Sequence, residues 1–312
     1  MKYPEYNSDI EICTEIHKKY GKSFYFGTRL LSQDEQGATS VLYAFFRYPD
    51  EYVDTYYKDQ SQKSIALEKL QDFSLLWQRA YNGEVIKHED STLIAILRSA
   101  KYIFDTYRIP FEYSQAFLKS MIQDVTKDRY PTYEDLRDYM YGSASVVGMM
   151  MCYILCFSDE RFNNDVQFRT LTLEKAGLLG EAFQMTNFLR DVGEDIQERG
   201  RIYLPLTSLA RFGVDEATLM QKEVNSNFVE LLKYEIERTR NIYSEAEAGI
   251  GMLPKRAGRG IYVARVLYGN ILNEIEKNSY DTLNRRAHVS FFKKIILAVS
   301  ALIKFSYGEA NK

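Results

Sequence analysis

QMTNFLRDVGEDIQERGRIYLP, residues 184–205, is the stretch on which the reading of this chain turns. Gln184, Asn187, Asp191 and Asp195 are spaced by three, four and four residues, so on an α-helix they form one polar stripe. The opposite face carries Met185, Leu189, Val192 and Ile196, the apolar stripe a helix needs in order to pack on a core. Amides and carboxylates on a half-buried face are costly unless each finds a partner. Arg190, Arg199 and Arg201 supply positive charge close by. The stretch therefore predicts an amphipathic helix that presents an acidic, arginine-flanked stripe.

A second stripe of the same kind lies upstream, in LYAFFRYPDEYVD, residues 42–54. Tyr43, Arg47, Asp50 and Asp54 follow at four, three and four residues and share one helical face. Two carboxylates one turn apart repel each other unless a cation sits between them. Mg²⁺ commonly takes one or two carboxylates and fills its other positions with water and phosphate oxygens, and Arg47 is placed to hold a phosphate. A single DxxxD is usually a solvated helix face. Two of them, each with arginine and hydrogen-bonding neighbours, predict acidic helices facing one another across a cavity, with metal ions bridging both to a diphosphate. Pro49 removes a helical hydrogen bond at a cost of ~3 kcal/mol and predicts a kink just before Asp50.

Around these stripes helical periodicity dominates, as in Ser64–Tyr81, Thr92–Arg108, Leu171–Ile196, Phe228–Ala248 and Gly260–Lys277. Polar breaks separate them at Asn82–Asp90, Pro110, Tyr130–Thr132, Ser158–Asp165 and Gly200–Pro205, and Thr132 followed by Asp135 reads as a capped helix start. No alternating pattern lasts long enough to build a sheet. The segment VVGMMMCYILCF, Val146–Phe157, is apolar all round, so its helix is either a central core element or the wall of a cavity for a long, flexible ligand. With six prolines in 312 residues, no Ser/Gly/Pro-rich linker and no repeat, the chain reads as one all-α domain over residues 1–312.

Composition excludes several classes. Net charge is −3 with Lys and Arg scattered, so the basic footprint of a nucleic-acid binder is missing. Cys13, Cys152 and Cys156 complete no zinc spacing and read as buried reduced thiols of a cytoplasmic protein. His17, His88 and His288 read as packing or surface residues. The opening MKYPEYNSDIEIC lacks the apolar core of a signal peptide, and Val146–Phe157 is too short to span a bilayer. FFKKIILAVSALIKF, residues 291–305, reads either as an interfacial helix, giving peripheral membrane association, or as a helix docked on the core.

The stretch 184–205 resembles the signature of squalene and phytoene synthases, in which Gln, Asn, Arg-Asp, Asp and Arg-Ile-Tyr-Leu-Pro follow in this order. LYAFFRYPDEYVD resembles the first acidic motif of that family, GKSFYFGTRLL (21–31) its opening motif, and DYMYGSASVVG (138–148) its Tyr-rich segment. ARVLYGNILNEIEKNSYD and RRAHVSFFKK are similar to the tail of the carotenoid-type members, and the resemblance runs from residue 13 to about residue 300. It implies a single isoprenoid-synthase helical bundle with a central cavity. It further implies that Asp50, Asp54, Asp191 and Asp195 bind Mg²⁺, with Mn²⁺ as a substitute, and carry catalysis. Arg47 and Arg190 would contact diphosphate, together with Lys22, Ser23 and Tyr43. Gln184 and Asn187 would line a second site, Arg265 would reach a phosphate, and Tyr139 would handle a proton or steady a carbocation.

The reaction so implied joins two geranylgeranyl diphosphates head to head to phytoene, through a cyclopropyl diphosphate and without reductant. The carotenoid-type tail favours this product, as does the lack of a Gly-rich nucleotide fingerprint. So does Thr28, a small residue one turn beyond Phe24 where an aromatic would stop a shorter chain. Three other readings stay open: squalene or dehydrosqualene synthesis from farnesyl diphosphate, a terpene cyclase, and a catalytically silent assembly factor. Four intact, costly aspartates argue against the last. Pro49, Tyr20, Ser143 and Ser145 depart from the family pattern without deleting a metal ligand. Partners are prenyl diphosphates and no nucleic acid; oligomeric state is left open.

Overall fold

The structure, a computed structural model, describes residues 6–21, 25, 27–57 and 59–306. Lys22, Ser23 and Phe24 lie outside them. The described chain is helical: α1 (Asn7–Tyr20), α2 (Gln33–Thr55), α3 (Gln60–Tyr81), α4 (Ser91–Tyr107), α5 (Phe111–Thr126), α6 (Tyr133–Met140), α7 (Val146–Leu155), α8 (Glu160–Asn164), α9 (Val166–Arg199), α10 (Leu206–Arg211), α11 (Glu216–Met220), α12 (Ser226–Glu247), α13 (Lys255–Lys277) and α14 (Phe291–Ser306). Among the described residues the only extended pairing is a single bridge between Arg129 and Ile202. No helix of the described residues is long and apolar enough to cross a membrane.

Local signals set most of the boundaries. Ser32 accepts from the Glu35 amide while the Glu35 carboxylate accepts from Ser32, closing a capping box at the start of α2. Thr132 and Asp135 do the same for α6, as the sequence predicts. Helix α2 continues through Pro49 without interruption. Helix α9 exceeds its predicted span at both ends. Asp165 caps its start by accepting from the Phe168 amide at 3.0 Å, and it runs on to Gly200, whose φ of +66° ends it. The predicted break at 158–165 holds the short α8, capped by Asp159. Between α6 and α7 the chain makes one π-helical turn, Tyr141–Ser145, and Ser143 and Ser145 fall in it. Residues 146–157 are all buried or half-buried.

The helices pack as two units, Met1–Thr126 with Met149–Arg169, and Lys127–Gly148 with Thr170–Lys312. In the first, Phe45 on α2 meets Trp77 and Phe73 on α3 at ring distances of 4.9 and 5.5 Å, and Phe104 on α4 at 6.1 Å. The Trp77 indole N–H, fully buried, donates to Ser114 on α5 at 2.8 Å. Asp9 on α1 accepts two bonds from Arg98 on α4, at 2.6 and 2.7 Å. This aromatic floor fixes the rotation of α2 and turns its Arg47–Asp50–Asp54 face away from the core.

In the second unit α9 is the axis. Its apolar face, Leu189, Val192 and Ile196, packs with Leu231, Leu232 and Ile236 of α12 and Leu272 and Ile275 of α13. On another side the backbones close in: a Cβ on Gly180 would sit 2.4 Å from the Ala144 carbonyl oxygen, and one on Gly148 equally close to that of Ala176. Small residues thus let the π-helical turn and the chain up to Gly148 lie directly against α9.

Candidate active site

In the first unit Arg47 is the hub. Its Nη1 donates to Asp50 at 2.5 Å and to Asp54 at 3.0 Å, and its Nη2 donates to Glu51. The guanidinium lies over the Tyr20 ring, 5.2 Å from its centroid. Burial works against the Arg47 charge, but Asp50, Asp54 and Glu51 outweigh it and hold the group protonated. Asp50 is pushed up to about 7, first by desolvation among the surrounding groups and then by repulsion from Asp54, with a lesser push from Asp124; Arg47 pulls the other way. Tyr43, one turn before Arg47, stacks on the His17 ring at 4.4 Å. His17 is buried, its pKa lowered by desolvation to about 4, and accepts or donates one bond with Ser40 at 3.0 Å. It therefore meets Tyr43 as a neutral ring at pH 7, the packing role its sequence position implies.

In the second unit Asp191 takes the corresponding place. Arg190 donates to both its oxygens at 2.7 and 2.6 Å, and Arg286 donates to the same two at 2.8 and 3.2 Å. Asp195, largely buried, accepts from Arg199 at 3.0 Å. Asn187 donates weakly to Gln184 at 3.4 Å, so the two amides stand together on the stripe. Tyr139 is buried in an aromatic stack with Tyr130, Tyr203 and Phe188, at 5.3, 5.9 and 6.3 Å. Phe188 belongs to α9, one turn before Asp191 and Val192. Arg265 is not brought to this cluster. Its Nη2 pairs with Glu247 at 2.7 Å and its guanidinium lies over Tyr243; Arg286 reaches Asp191 instead.

Four contributors escape a reading by motif. Glu51 and Asp124 add negative charge beside Asp50, and Arg286 and Tyr20 bear on the two clusters. Asp124 left a signal: it stands on the apolar face of α5 among Phe117, Met121 and Val125, where a carboxylate needs a reason. Arg286 sits in the quoted RRAHVSFFKK, but nothing in its local spacing points to Asp191.

Among the described residues no three His, Cys, Asp or Glu side chains converge on one point as a ready metal site; arginines countercharge the aspartates. The donors are nonetheless hard carboxylate oxygens in one-turn pairs, the type Mg²⁺ takes. Desolvation first, and then repulsion from Asp54, keeps the Asp50 carboxyl raised against the pull of Arg47. The residues fit a divalent cation.

Tyr20 lies at the end of α1, beside Arg47. Its ring, half exposed, supports the Arg47 guanidinium, a contact worth about 0.5–1 kcal/mol at an exposed site. Tyr20→Ala is expected to weaken prenyl diphosphate binding roughly two- to fivefold, with kcat little changed, while Tyr20→Phe retains affinity. Steady-state KM against kcat for the three proteins checks this; equal KM values for the Ala and Phe variants would show that the ring contributes nothing.

Comparison with known proteins shows which family the chain resembles. The squalene/phytoene synthase family model matches residues 17–293. A phytoene synthase of Arthrospira platensis is 35% identical over 300 residues, covering 95% of this chain and 93% of that protein. A 15-cis-phytoene synthase of Synechocystis sp. is 33% identical over 291 residues, covering 92% and 82%. A crystal structure of a dehydrosqualene synthase with ligand superposes with a TM-score of 0.82 at 27% identity, covering 98% of this chain and all of that one. A squalene synthase from Alicyclobacillus acidocaldarius has the same fold, with a TM-score of 0.75. The fold is that of an all-helical isoprenoid synthase. This chain belongs to the squalene/phytoene synthase family.

Proposed function

We propose that this protein condenses two geranylgeranyl diphosphates head to head to phytoene, through a cyclopropyl diphosphate and without reductant. The observation that carries the reading is the set of arginine-countered aspartates, Arg47–Asp50–Asp54 and Arg190–Asp191 with Arg199–Asp195, in a chain 35% and 33% identical to two phytoene synthases. The catalytic unit is taken as one domain over residues 1–312. In support, the chain passes three times between its two units, and the family match spans both.

Mg²⁺, held by Asp50, Asp54, Asp191 and Asp195, would neutralise charge developing on the leaving diphosphate. The arginines hold diphosphate oxygens by charge-assisted hydrogen bonds: Arg47 in the first unit, Arg190 and Arg286 in the second. Lys22 and Ser23 serve the same end in the opening motif, and Tyr43 is steadied for it by His17. Gln184 and Asn187 orient the second donor. The double bond of one prenyl diphosphate attacks the allylic cation of the other, a proton leaves as the cyclopropane closes, and departure of the second diphosphate gives the cation that rearranges. With no hydride available, the rearranged cation loses a proton, which Tyr139 accepts or directs. The stacked Phe188, Tyr203 and Tyr130 exclude water that would quench the cation. The free buried thiols Cys13, Cys152 and Cys156 suit the cytoplasm, and the long prenyl tails of the substrates and a hydrocarbon product suit peripheral placement at a membrane surface.

The likeness to a dehydrosqualene synthase structure favours one second reading, use of farnesyl diphosphate. Thr28 bears on the choice: it is 4% exposed and bonds back to the Tyr25 carbonyl at 2.7 Å, a small side chain where an aromatic would block a longer tail. Burying the five carbons of one more isoprene unit is worth roughly 3–4 kcal/mol at about 0.8 per CH₂. We expect the twenty-carbon donor to be preferred by roughly 10²-fold in kcat/KM, and the forty-carbon hydrocarbon to form without NADPH. Mass spectrometry of products from both donors, with and without NADPH, checks this. Faster consumption of farnesyl diphosphate, or hydrocarbon only with NADPH, would overturn the reading.

A further inference from the structure

Helix α6 carries Tyr139, and α9 grips that helix through a single carboxylate. The Glu181 side chain, on α9 one turn before Met185, is only 5% exposed. Its Oε1 accepts the Tyr133 hydroxyl at 2.6 Å and its Oε2 accepts Arg137 Nε at 3.2 Å. Tyr133 and Arg137 stand one turn apart on α6, so Glu181 spans a full turn of the helix. Gly180, the residue before it, lies so close to the Ala144 carbonyl in the π-helical turn that no Cβ fits there. Successive residues of α9 thus fix both ends of the stretch 133–145, with Tyr139 between them. Gln184, the first residue of the polar stripe, follows Glu181 by three positions. The grip is itself braced. Arg238 of α12 lies over the Tyr133 ring, 4.1 Å from its centroid, and is held by the fully buried Glu235 at 2.8 and 3.1 Å. Burial first, and then the bond to Glu181, keeps the Tyr133 phenol protonated and therefore a donor. Tyr133 also packs on the cluster that holds Tyr139, Met185 and Phe188.

We propose that Glu181 is a positioning residue: through Tyr133 and Arg137 it sets Tyr139 relative to the Gln184–Asn187–Asp191 stripe, and so decides which proton the final cation loses. The inference rests on the reaction proposed above. Burying a carboxylate is costly, and an apolar side chain would pack α6 on α9 as well or better. What the carboxylate adds is register, because two directed bonds one turn apart allow α6 neither to slide along α9 nor to roll on it. Register matters in the last step. There one C–H bond of the rearranged cation breaks, its electron pair becomes the new carbon–carbon double bond, and the proton leaves toward the Tyr139 hydroxyl; no oxidant or reductant enters. A hydroxyl displaced by about 1 Å forfeits most of the advantage of its placement. The cation then loses a different proton or takes up water.

Chromatography with mass spectrometry of the products tests the proposal on the full-length protein. The wild type is expected to give one hydrocarbon. Glu181→Ala and Tyr133→Phe should raise the share of alcohols and double-bond isomers roughly tenfold, with total diphosphate release lowered no more than about threefold. Tyr133→Phe keeps the ring under Arg238 and removes only the hydroxyl, so it decides the matter if Glu181→Ala does not fold. Tyr139→Phe should shift the products in the same way, and adding Tyr133→Phe to it should shift them no further, because both act on one group. Arg240→Ala breaks another ion pair of the same unit, Arg240 with Glu276 at 2.6 and 2.7 Å, and should leave the product ratio unchanged. A role in stability alone lowers all rates together and moves no ratio. A shift with Tyr139→Phe but none with Tyr133→Phe overturns the positioning and leaves the reaction standing. So does an equal shift with Arg240→Ala. Unchanged products with Tyr139→Phe overturn the role of Tyr139 and the positioning with it. A wild type that makes no hydrocarbon from either donor overturns the proposed reaction itself, and this inference falls with it.

Discussion

Asp191→Asn is expected to cut diphosphate release at saturating Mg²⁺ by about 10³-fold, the scale of losing one preorganised electrostatic contact to a developing charge. Asparagine keeps the shape and one acceptor oxygen but removes the charge that both Arg190 and Arg286 clasp. Arg286 is more than half exposed and stays hydrated, whereas Arg190 is four-fifths covered, so the stability loss is expected to stay below about 3 kcal/mol with unchanged helical circular dichroism. Asp50→Asn should be as inactive yet differ in stability. The Asp50 carboxyl titrates near 7, above its unfolded value, so the folded state holds its proton more tightly. Through this group wild-type stability falls as pH rises from about 4 to 7, and the asparagine variant lacks that loss. In chelator at pH 8 its melting temperature should equal or exceed that of the wild type. Turnover within tenfold of wild type in either variant, at saturating Mg²⁺, would refute the metal assignment.

Gly193→Ala should harm both stability and diphosphate binding, although it alters no charged group. A Cβ there would lie 2.2 Å from the Leu283 carbonyl oxygen and under 3 Å from the Leu283 carbonyl carbon and Cα. These are backbone atoms and cannot rotate aside. The Gly193 amide also donates to the Thr282 carbonyl at 3.0 Å, so the turn before Arg286 is pinned to α9 at this point. Forcing the turn outward costs about 1–3 kcal/mol as overpacking and draws Arg286 away from Asp191. We expect a melting temperature lower by several degrees together with roughly tenfold weaker binding of inorganic diphosphate in calorimetry, the loss of one charge-assisted contact. Arg286→Ala should reproduce the binding loss without the thermal one. A Gly193→Ala protein with wild-type melting and wild-type diphosphate affinity would show that the close approach has no bearing on the site.

These two experiments also separate what is local in this protein from what is not. The acidic stripes were legible because a 3.6-residue period dictates which side chains share a helical face: Gln184, Asn187, Asp191 and Asp195 could be placed together, as could Tyr43, Arg47, Asp50 and Asp54, before any packing was known. Caps at Thr132 and the stop at Gly200 are equally local, since a hydroxyl three residues from an amide or a glycine at positive φ acts through its own turn. Long-range partners carry no such period. Arg286 meets Asp191 across 95 residues because Gly193 lets a turn lie on α9, while Arg265, which the motif order puts forward, is drawn to Glu247 within its own helix pair. Tyr20 comes to Arg47, and Asp124 to Asp50, through the packing of α1 and α5 around α2. The sequence by itself determined an all-helical fold and which carboxylates stand in pairs. Only the tertiary structure decided which arginines countercharge them, because a guanidinium on a long side chain goes to whichever carboxylate the backbone's close approaches bring within reach.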